Sequence, residues 1–144
     1  MGVHNVLGNP VNYWAILVSG VAAVVIGAVW YSPGVFGKAW MQLVGFKKED
    51  MKKAKQEGMA GKYLTGFIGA LVMAFILAHF IGFAGASSAV GGAIAAFWLW
   101  LGFIATTTLG SVLWERKPLT LYFLNNAYNL LSLLVMGVIL GAWV

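Results

Sequence analysis

The sequence predicts an all-α membrane protein in which four transmembrane helices form one bundle, with a short amphipathic helix at the membrane interface. Four apolar runs of about 20 residues carry no formal charge, and each is long enough to cross a hydrocarbon core of roughly 30 Å. Hydrophobic residues make up 61% of the chain and charged residues 9%, whereas a soluble domain is about a quarter charged. This small number of charged residues could not keep the surface of a soluble protein hydrated. We therefore expect lipid hydrocarbon to surround most side chains.

The length of 144 residues predicts a single membrane domain, residues 1–144. The chain contains no cysteine, which excludes disulfides, thiolate zinc sites and iron–sulfur clusters. The basic residues do not alternate with aromatic residues along a soluble face, so no nucleic-acid partner is predicted.

The first apolar run, residues 11–31, predicts helix one, preceded by a short polar lead. Asn12 is the expected N-cap, and Pro33 ends the helix because the residue before a proline is pushed out of the α region. Trp30 and Tyr31 follow at the end of the run, where amphipathic rings typically meet lipid headgroups.

Residues 35–44 predict a short interfacial helix. Phe36 and Trp40 lie on one helical face and Lys38 lies on the other. About ten residues are too few to span, so we expect this helix to lie in the interface with its rings among the headgroups. Residues 45–62 are expected to form a solvated cytoplasmic loop whose charged side chains are spaced to pair along a short helix. The alternative is a basic patch that binds anionic lipid or an acidic partner.

Three further apolar runs predict helix two at residues 63–84, helix three at 93–114 and helix four at 119–143. Helices one and two also carry small residues at every fourth position, a spacing that lets neighbouring helices approach closely. We expect the following small residues to pack in this way: Gly27, Gly66, Ala70 and Ala74.

The basic residues predict the orientation of the bundle. All 9 Lys and Arg residues lie at 38–62 or at 116–117, and with four helices these two connections lie on the same side. The positive-inside rule then places both connections in the cytoplasm and both termini outside, in the inner or plasma membrane.

Polar residues inside the predicted helices form two groups. Asn125 and Asn126 lie roughly 10 Å in from the cytoplasmic end of helix four, and Asn129 lies near mid-depth. Thr106, Thr107 and Thr108 on helix three come to a similar depth. The geometry predicts a hydrogen-bonded seam between helices three and four, and the alternative is a polar wall along a solute or ion path.

The second group is His79 on helix two, with Ser19 on helix one at a similar estimated depth. A neutral imidazole bonded to Ser19 or to a backbone carbonyl is the favoured interpretation. The alternatives are a proton relay or a ligand to a metal or haem, roles that suit histidine. No second histidine lies within the predicted helices, so we predict no metal and no cofactor.

No catalytic constellation is evident. The predicted helices contain no Asp or Glu, so neither an acid–base pair nor a nucleophile with its base is available inside the membrane. Glu115 is expected to form an ion pair with Arg116 at the cytoplasmic rim. The sequence therefore predicts a protein that is not an enzyme, with no catalytic residue.

Several short motifs resemble those of one family: Trp30-Tyr31-Ser32-Pro33, Phe36-Gly37-Lys38, Trp40-Met41, Trp100-Leu101-Gly102-Phe103, Glu115-Arg116-Lys117-Pro118, Asn126-Ala127-Tyr128 and Ser132-Leu133-Leu134-Val135-Met136-Gly137. This family of small prokaryotic membrane proteins is known only as a domain of unknown function, number 1761. The resemblance covers nearly the whole chain and implies four membrane helices in one domain. It supplies no activity, cofactor or catalytic residue.

Two functional interpretations follow. The favoured one is a non-enzymatic packing or interaction protein, either a homo-oligomer or an accessory subunit of a membrane complex, whose partners are membrane lipids and other membrane subunits. The small-residue stripes on helices one and two favour it. The alternative is permeation of a small solute, ion or proton along polar residues at graded depths: His79, Asn129, Asn125 and Thr107.

Overall fold

The computed structural model describes residues 3–4 and 10–143. Its helices are α1 (Tyr13–Trp30), α2 (Gly37–Val44), α3 (Lys48–Glu57), α4 (Ala60–Phe83), α5 (Ala89–Leu113) and α6 (Leu119–Ala142). Two-residue strands, Val3–His4 and Pro10–Val11, pair antiparallel before α1. The rest of the polar lead lies outside the described residues.

Four of these helices, α1, α4, α5 and α6, are long and apolar enough to cross a membrane. This confirms the predicted fold class, a helical membrane protein with four spanning segments. Helix α6 packs against the other three spans, and α1 also packs against α4. The last helix therefore occupies the centre of the bundle.

The start of α1 is capped as predicted. The Asn12 Oδ1 accepts hydrogen bonds from the backbone N–H groups of Trp14 at 3.0 Å and Ala15 at 3.2 Å, which satisfies two of the donors left free at a helix N-terminus. The Asn12 Nδ2 also donates to the Trp143 carbonyl at 3.3 Å. One side chain thus caps α1 and ties it to the end of α6.

Some predicted boundaries differ from those in the structure. Helix α5 begins at Ala89 rather than at 93, because Ser88 caps it by accepting a hydrogen bond from the Gly91 N–H at 3.0 Å. Helix α4 begins at Ala60 rather than at 63. The expected loop 45–62 contains a ten-residue helix, α3, which Gly58 ends with a φ of 92° that favours glycine.

The predicted ion pairs also need correction. Within the described residues no ion pair forms along α3, and Lys117, rather than Arg116, pairs with Glu115 at 3.8 Å. Both partners are largely exposed. An exposed pair of this kind contributes little to stability, because water screens it.

The closest helix contact lies between α5 and α6, at glycines outside the stripes that the sequence suggested. A Cβ atom on Gly92 would overlap the Gly137 carbonyl, and one on Gly137 would overlap the Gly92 carbonyl. Only glycine lets the two backbones touch here. Gly137 and Gly141 form a G-x-x-x-G motif, a sequence signal for this contact.

The predicted stripes on α1 and α4 are only partly used for packing. Ala74 is fully buried, and the Tyr128 hydroxyl of α6 lies 2.9 Å from the point where a Cβ on Gly27 would be. A Cβ on Gly66, by contrast, would meet nothing within 4 Å. The stripe on α4 therefore leaves the bundle at Gly66.

Helix α2 folds back onto the bundle and packs against α6. Gly37 permits this return, because a Cβ there would overlap the Tyr31 carbonyl.

The half-buried Trp40 ring of α2 packs against protein. Its centroid lies 6.0 Å from that of the Tyr31 ring and 5.7 Å from that of the Phe46 ring. Phe36 packs on Trp30 at 4.5 Å, while Lys38 is exposed. The Trp40 ring therefore contacts the bundle, and the position of α2 at the membrane interface stays a prediction.

Candidate functional site

A polar cavity of about 670 Å³ lies between the C-terminal half of α5 and the N-terminal half of α6, with α2 along one side. Its volume falls within the range of about 300–1,000 Å³ that is typical of small-molecule sites. We use the name "polar cavity" for the space lined by these polar residues, together with Trp40 and Val44 of α2: Thr107, Thr108, Ser111, Glu115, Lys117, Tyr122, Asn125, Asn126 and Asn129.

Helix α5 changes its winding just before the polar cavity. Residues Trp100–Ala105 form a π-helical segment, a rare irregularity that often occurs at functional sites. The Ala105 carbonyl at the end of this segment accepts a hydrogen bond from the Tyr122 hydroxyl at 2.7 Å. The irregular turn of α5 is thus held to α6 at the cavity.

The hydroxyl groups of the three threonines that follow the π-helical segment donate hydrogen bonds to backbone carbonyl groups of α5 itself. Thr106 donates to the Gly102 carbonyl at 2.7 Å, Thr107 to the Phe103 carbonyl and Thr108 to the Ile104 carbonyl at 2.6 Å. Bonds of this kind are common for threonine in apolar surroundings. Thr107 and Thr108 line the polar cavity, whereas Thr106 does not, so only the first two present hydroxyl oxygens to it.

Asn126 forms the predicted link between the last two spans. It is 3% exposed, and its Nδ2 donates to the Thr108 hydroxyl at 3.0 Å and to the Tyr122 carbonyl at 3.0 Å. Its amide nitrogen is therefore fully used by the protein, and Asn126 serves to join α5 and α6.

Asn125 and Asn129 are bonded differently, although both also line the polar cavity. The Asn125 Oδ1 accepts a hydrogen bond from the Tyr31 hydroxyl at 2.7 Å. Among the described residues, the Asn125 Nδ2 has no hydrogen-bond partner, and neither the Oδ1 nor the Nδ2 of Asn129 has one. An amide without a partner in an apolar medium costs several kcal/mol, so at this depth it requires water or another polar molecule.

Tyr31, one residue beyond the end of α1, is held between two aromatic rings. Its ring centroid lies 6.0 Å from that of Trp40 and 5.3 Å from that of Tyr128. Burial, and secondly the neighbouring Tyr128 hydroxyl, raise the pKa of Tyr31 to about 12. The Tyr31 hydroxyl therefore keeps its proton at neutral pH and remains the donor to Asn125.

His79 and Ser19 lie apart from the polar cavity. The His79 Nδ1 lies 2.7 Å from the Phe75 carbonyl of its own helix, so the structure shows the backbone-carbonyl partner rather than Ser19. The His79 Nε2 and the Ser19 Oγ are both buried without a partner in the described part of the chain. Neither residue lines the polar cavity, so the proposed path from His79 to Asn129 is not continuous in this conformation.

A second cleft of about 360 Å³ lies between α1 and α4. Three of the predicted packing residues, Gly27, Gly66 and Ala70, line it, together with Tyr31 and Lys62. These small residues leave an open cleft between α1 and α4 and do not bring the two helices into close contact here. Tyr31 lines this cleft and also bonds Asn125 of the polar cavity, so its side chain stands between the two spaces.

Sequence reasoning missed Ser111 and Trp40 as residues of the polar cavity. Ser111 lies one helical turn beyond Thr107 and Thr108, a spacing that places it on the same face of α5. Trp40 gave no such signal, because its position depends on the way α2 folds back.

Within the described residues, no three His, Cys, Asp or Glu side chains are grouped so that they could hold a metal ion.

The fold and the polar cavity define a class, a helical multi-pass membrane protein with a polar space between its last two spans. A family model described as "Protein of unknown function (DUF1761)" matches residues 14–141. The chain belongs to this family, which confirms the resemblance carried by Trp30-Tyr31-Ser32-Pro33 and the later motifs. Searches of curated proteins and of solved structures found no match.

Proposed function

We propose that this chain is a non-enzymatic membrane protein that binds a small polar solute in the polar cavity. The observation that carries the proposal is the amide of Asn129, which lines the cavity at membrane depth and has no hydrogen-bond partner among the residues that the structure describes. Polar groups that are left unpaired in a membrane protein line water-filled spaces or mark substrate sites. Asn129 can therefore form hydrogen bonds with a solute that enters the polar cavity.

The charge distribution supports an opening toward the cytoplasm. Glu115 and Lys117 line the polar cavity just outside the spanning segments, as do residues of α2. These elements lie on the side that carries all 9 Lys and Arg residues. By the positive-inside rule this side is cytoplasmic, which leaves both termini outside. In the proposal the solute enters from the cytoplasm, past the Glu115–Lys117 pair.

The chemistry of the cavity walls supports binding without catalysis. The deep part offers neutral amides and hydroxyls, and the carboxylate of Glu115 is 3.8 Å from the Lys117 ammonium. General acid–base chemistry needs a proton donor or acceptor with a pKa near the working pH, and amides and hydroxyls do not provide one. Permeation to the outer side would need a second conformation in which the cavity extends toward His79.

A thermal-shift screen in detergent tests this proposal. A solute that binds the folded state raises the midpoint of unfolding by mass action. We expect at least one class among alkali cations, halides, polyols and carboxamides to raise the midpoint of the wild type but not of Asn129→Leu. The control, Leu131→Ala, changes an exposed side chain on the same helix and should respond as the wild type does. Equal responses in all three proteins would remove the proposal.

A second candidate function, assembly with another copy or another membrane subunit, is favoured by the exposed face of α4. Gly69 lies on it, and a Cβ there would meet nothing within 4 Å. Small residues that face lipid allow a second helix to approach. Gly69→Leu should reduce the mass of the assembly in mild detergent without unfolding the protomer. An unchanged monomeric mass in both proteins would argue against assembly.

A further inference from the structure

We infer that the solute of the polar cavity is a neutral molecule that carries both hydrogen-bond donors and acceptors, as a short polyol or a simple carboxamide does. This inference rests on the proposed function of the same cavity. It follows from which donors and acceptors the protein leaves free there, and from the positions of its charges.

The hydroxyl groups of the cavity offer acceptors. Thr107 and Thr108 donate their protons to carbonyl groups of their own helix, and Ser111 donates to the Thr108 carbonyl at 2.8 Å. Each hydroxyl has one proton and two lone pairs, so oxygen lone pairs remain. A molecule bound against this wall of α5 must therefore donate hydrogen bonds.

The opposite wall, on α6, offers donors. The Oδ1 of Asn125 is occupied by the Tyr31 hydroxyl, whereas the Nδ2 of Asn125 donates to none of the described residues. Asn129 adds two N–H donors and one carbonyl acceptor. A molecule that spans both walls must therefore accept hydrogen bonds on one side and donate them on the other, as a hydroxyl or a primary amide does.

The charges of the cavity argue against an ion. Every lining residue between the mouth and Asn129 is uncharged, and the two charged residues at the mouth, Glu115 and Lys117, lie 3.8 Å apart and offset each other. An ion moved from water into an apolar interior without a counter-charge loses several kcal/mol of solvation. A neutral solute avoids this loss.

The remaining lining residues fit a short carbon skeleton. Trp40 and Val44 of α2 and Leu121 of α6 line the same space, and small-molecule sites commonly combine apolar walls with a few placed polar groups. Carbon atoms of the solute would contact these side chains while its polar groups reach Thr107 and Asn129.

Equilibrium dialysis of the purified protein in detergent against radiolabelled glycerol and acetamide tests the inference. We expect saturable binding of at least one probe, weakened about tenfold or more by Asn129→Leu, since a lost hydrogen bond of about 1.4 kcal/mol corresponds to a factor of ten. Thr107→Val provides a second variant, and Leu131→Ala, on the exposed face of α6, should bind as the wild type does.

Radiolabelled rubidium and chloride separate the possible failures. Binding of either ion that is lost in Asn129→Leu, without binding of glycerol or acetamide, would overturn the neutral class while leaving a solute site in the polar cavity. Binding of none of the four probes would overturn both the neutral class and the proposed function. Binding of glycerol or acetamide that persists unchanged in Asn129→Leu and Thr107→Val would also overturn the inference.

Discussion

Asn126 and Asn129 lie one turn apart on α6 but have different surroundings. The Asn126 Nδ2 makes two hydrogen bonds within the protein, whereas the Asn129 amide makes none with the described residues. The positions of both on one arc of the helix follow from the spacing of the sequence. Which of the two asparagines forms hydrogen bonds within the protein depends on its distance from α5. The helical repeat of the sequence does not give that distance.

The first prediction compares Asn126→Leu with Asn129→Leu. Asn126→Leu should lower the free energy of unfolding by about 0.6–2 kcal/mol, the usual contribution of a hydrogen bond between membrane helices. Asn129→Leu removes no hydrogen bond with the described residues, so its stability should stay close to that of the wild type. Unfolding by heat or by sodium dodecyl sulfate measures both. A larger loss in Asn129→Leu than in Asn126→Leu would contradict the assigned pairing.

The second prediction concerns Tyr31 and alkaline pH. Its pKa is about 12 in the folded protein, against about 10 for an unfolded tyrosine. The folded state therefore holds this proton more tightly, and the resulting stability is present below pH 10 and is lost as the pH rises to about 12. The unfolding midpoint of the wild type should fall more steeply over this interval than that of Tyr31→Phe. The exposed Tyr13 provides a control, because Tyr13→Phe should follow the wild type.

At the scale of the elements, the spans were predictable and the irregularities were not. Apolar runs without charge define the four long helices, because hydrocarbon admits little else. The start of α5 at Ala89 depends on the Ser88 cap, which lies between the two predicted helices at 63–84 and 93–114. The π-helical segment Trp100–Ala105 leaves no mark in the apolar pattern, since every residue in it is still compatible with a regular helix.

The third prediction concerns the contact between α5 and α6. A Cβ on Gly137 would lie 2.9 Å from the Ala96 Cβ and would overlap the Gly92 carbonyl, so Gly137→Ala must move one helix. Overpacking of this kind typically costs about 1–3 kcal/mol. Gly69→Ala is the matched control, because its Cβ would meet nothing within 4 Å and a helical glycine replaced by alanine gains up to about 1 kcal/mol. Thermal unfolding in detergent should therefore rank Gly137→Ala below the wild type and Gly69→Ala at or above it.

For the whole molecule, the polar residues of the spans divide between two places. One cavity is shared by Thr107, Thr108 and the three asparagines of α6, whereas His79 and Ser19 are buried elsewhere. Depth along each helix could be estimated from the sequence, which placed Thr107, Asn125 and Asn126 at a similar depth, and all three line the polar cavity. The central position of α6 was not predictable, because it depends on contacts with three other spans, made by buried apolar residues such as Leu133 and Met136 as well as by Gly137.

If the polar cavity opens to the cytoplasm, water reaches Asn129 from the lysine-rich side of the membrane. The chain contains no cysteine, so single-cysteine variants can be labelled without any background reaction. The thiolate that reacts with such labels forms only where water is present. Asn129→Cys and Thr107→Cys test the polar cavity, while Leu131→Cys and Phe123→Cys, which replace exposed apolar side chains of α6, serve as controls facing lipid.

The most direct measurement is the rate at which a hydrophilic, membrane-impermeant thiol reagent labels these four variants in inside-out and right-side-out vesicles. We predict that Asn129→Cys and Thr107→Cys react in inside-out vesicles, where the cytoplasmic side faces the reagent, and not in right-side-out vesicles. Leu131→Cys and Phe123→Cys should remain unlabelled in both. An unreactive Asn129→Cys in both orientations, or a rate no higher than that of Leu131→Cys, would contradict an opening of the polar cavity to the cytoplasm.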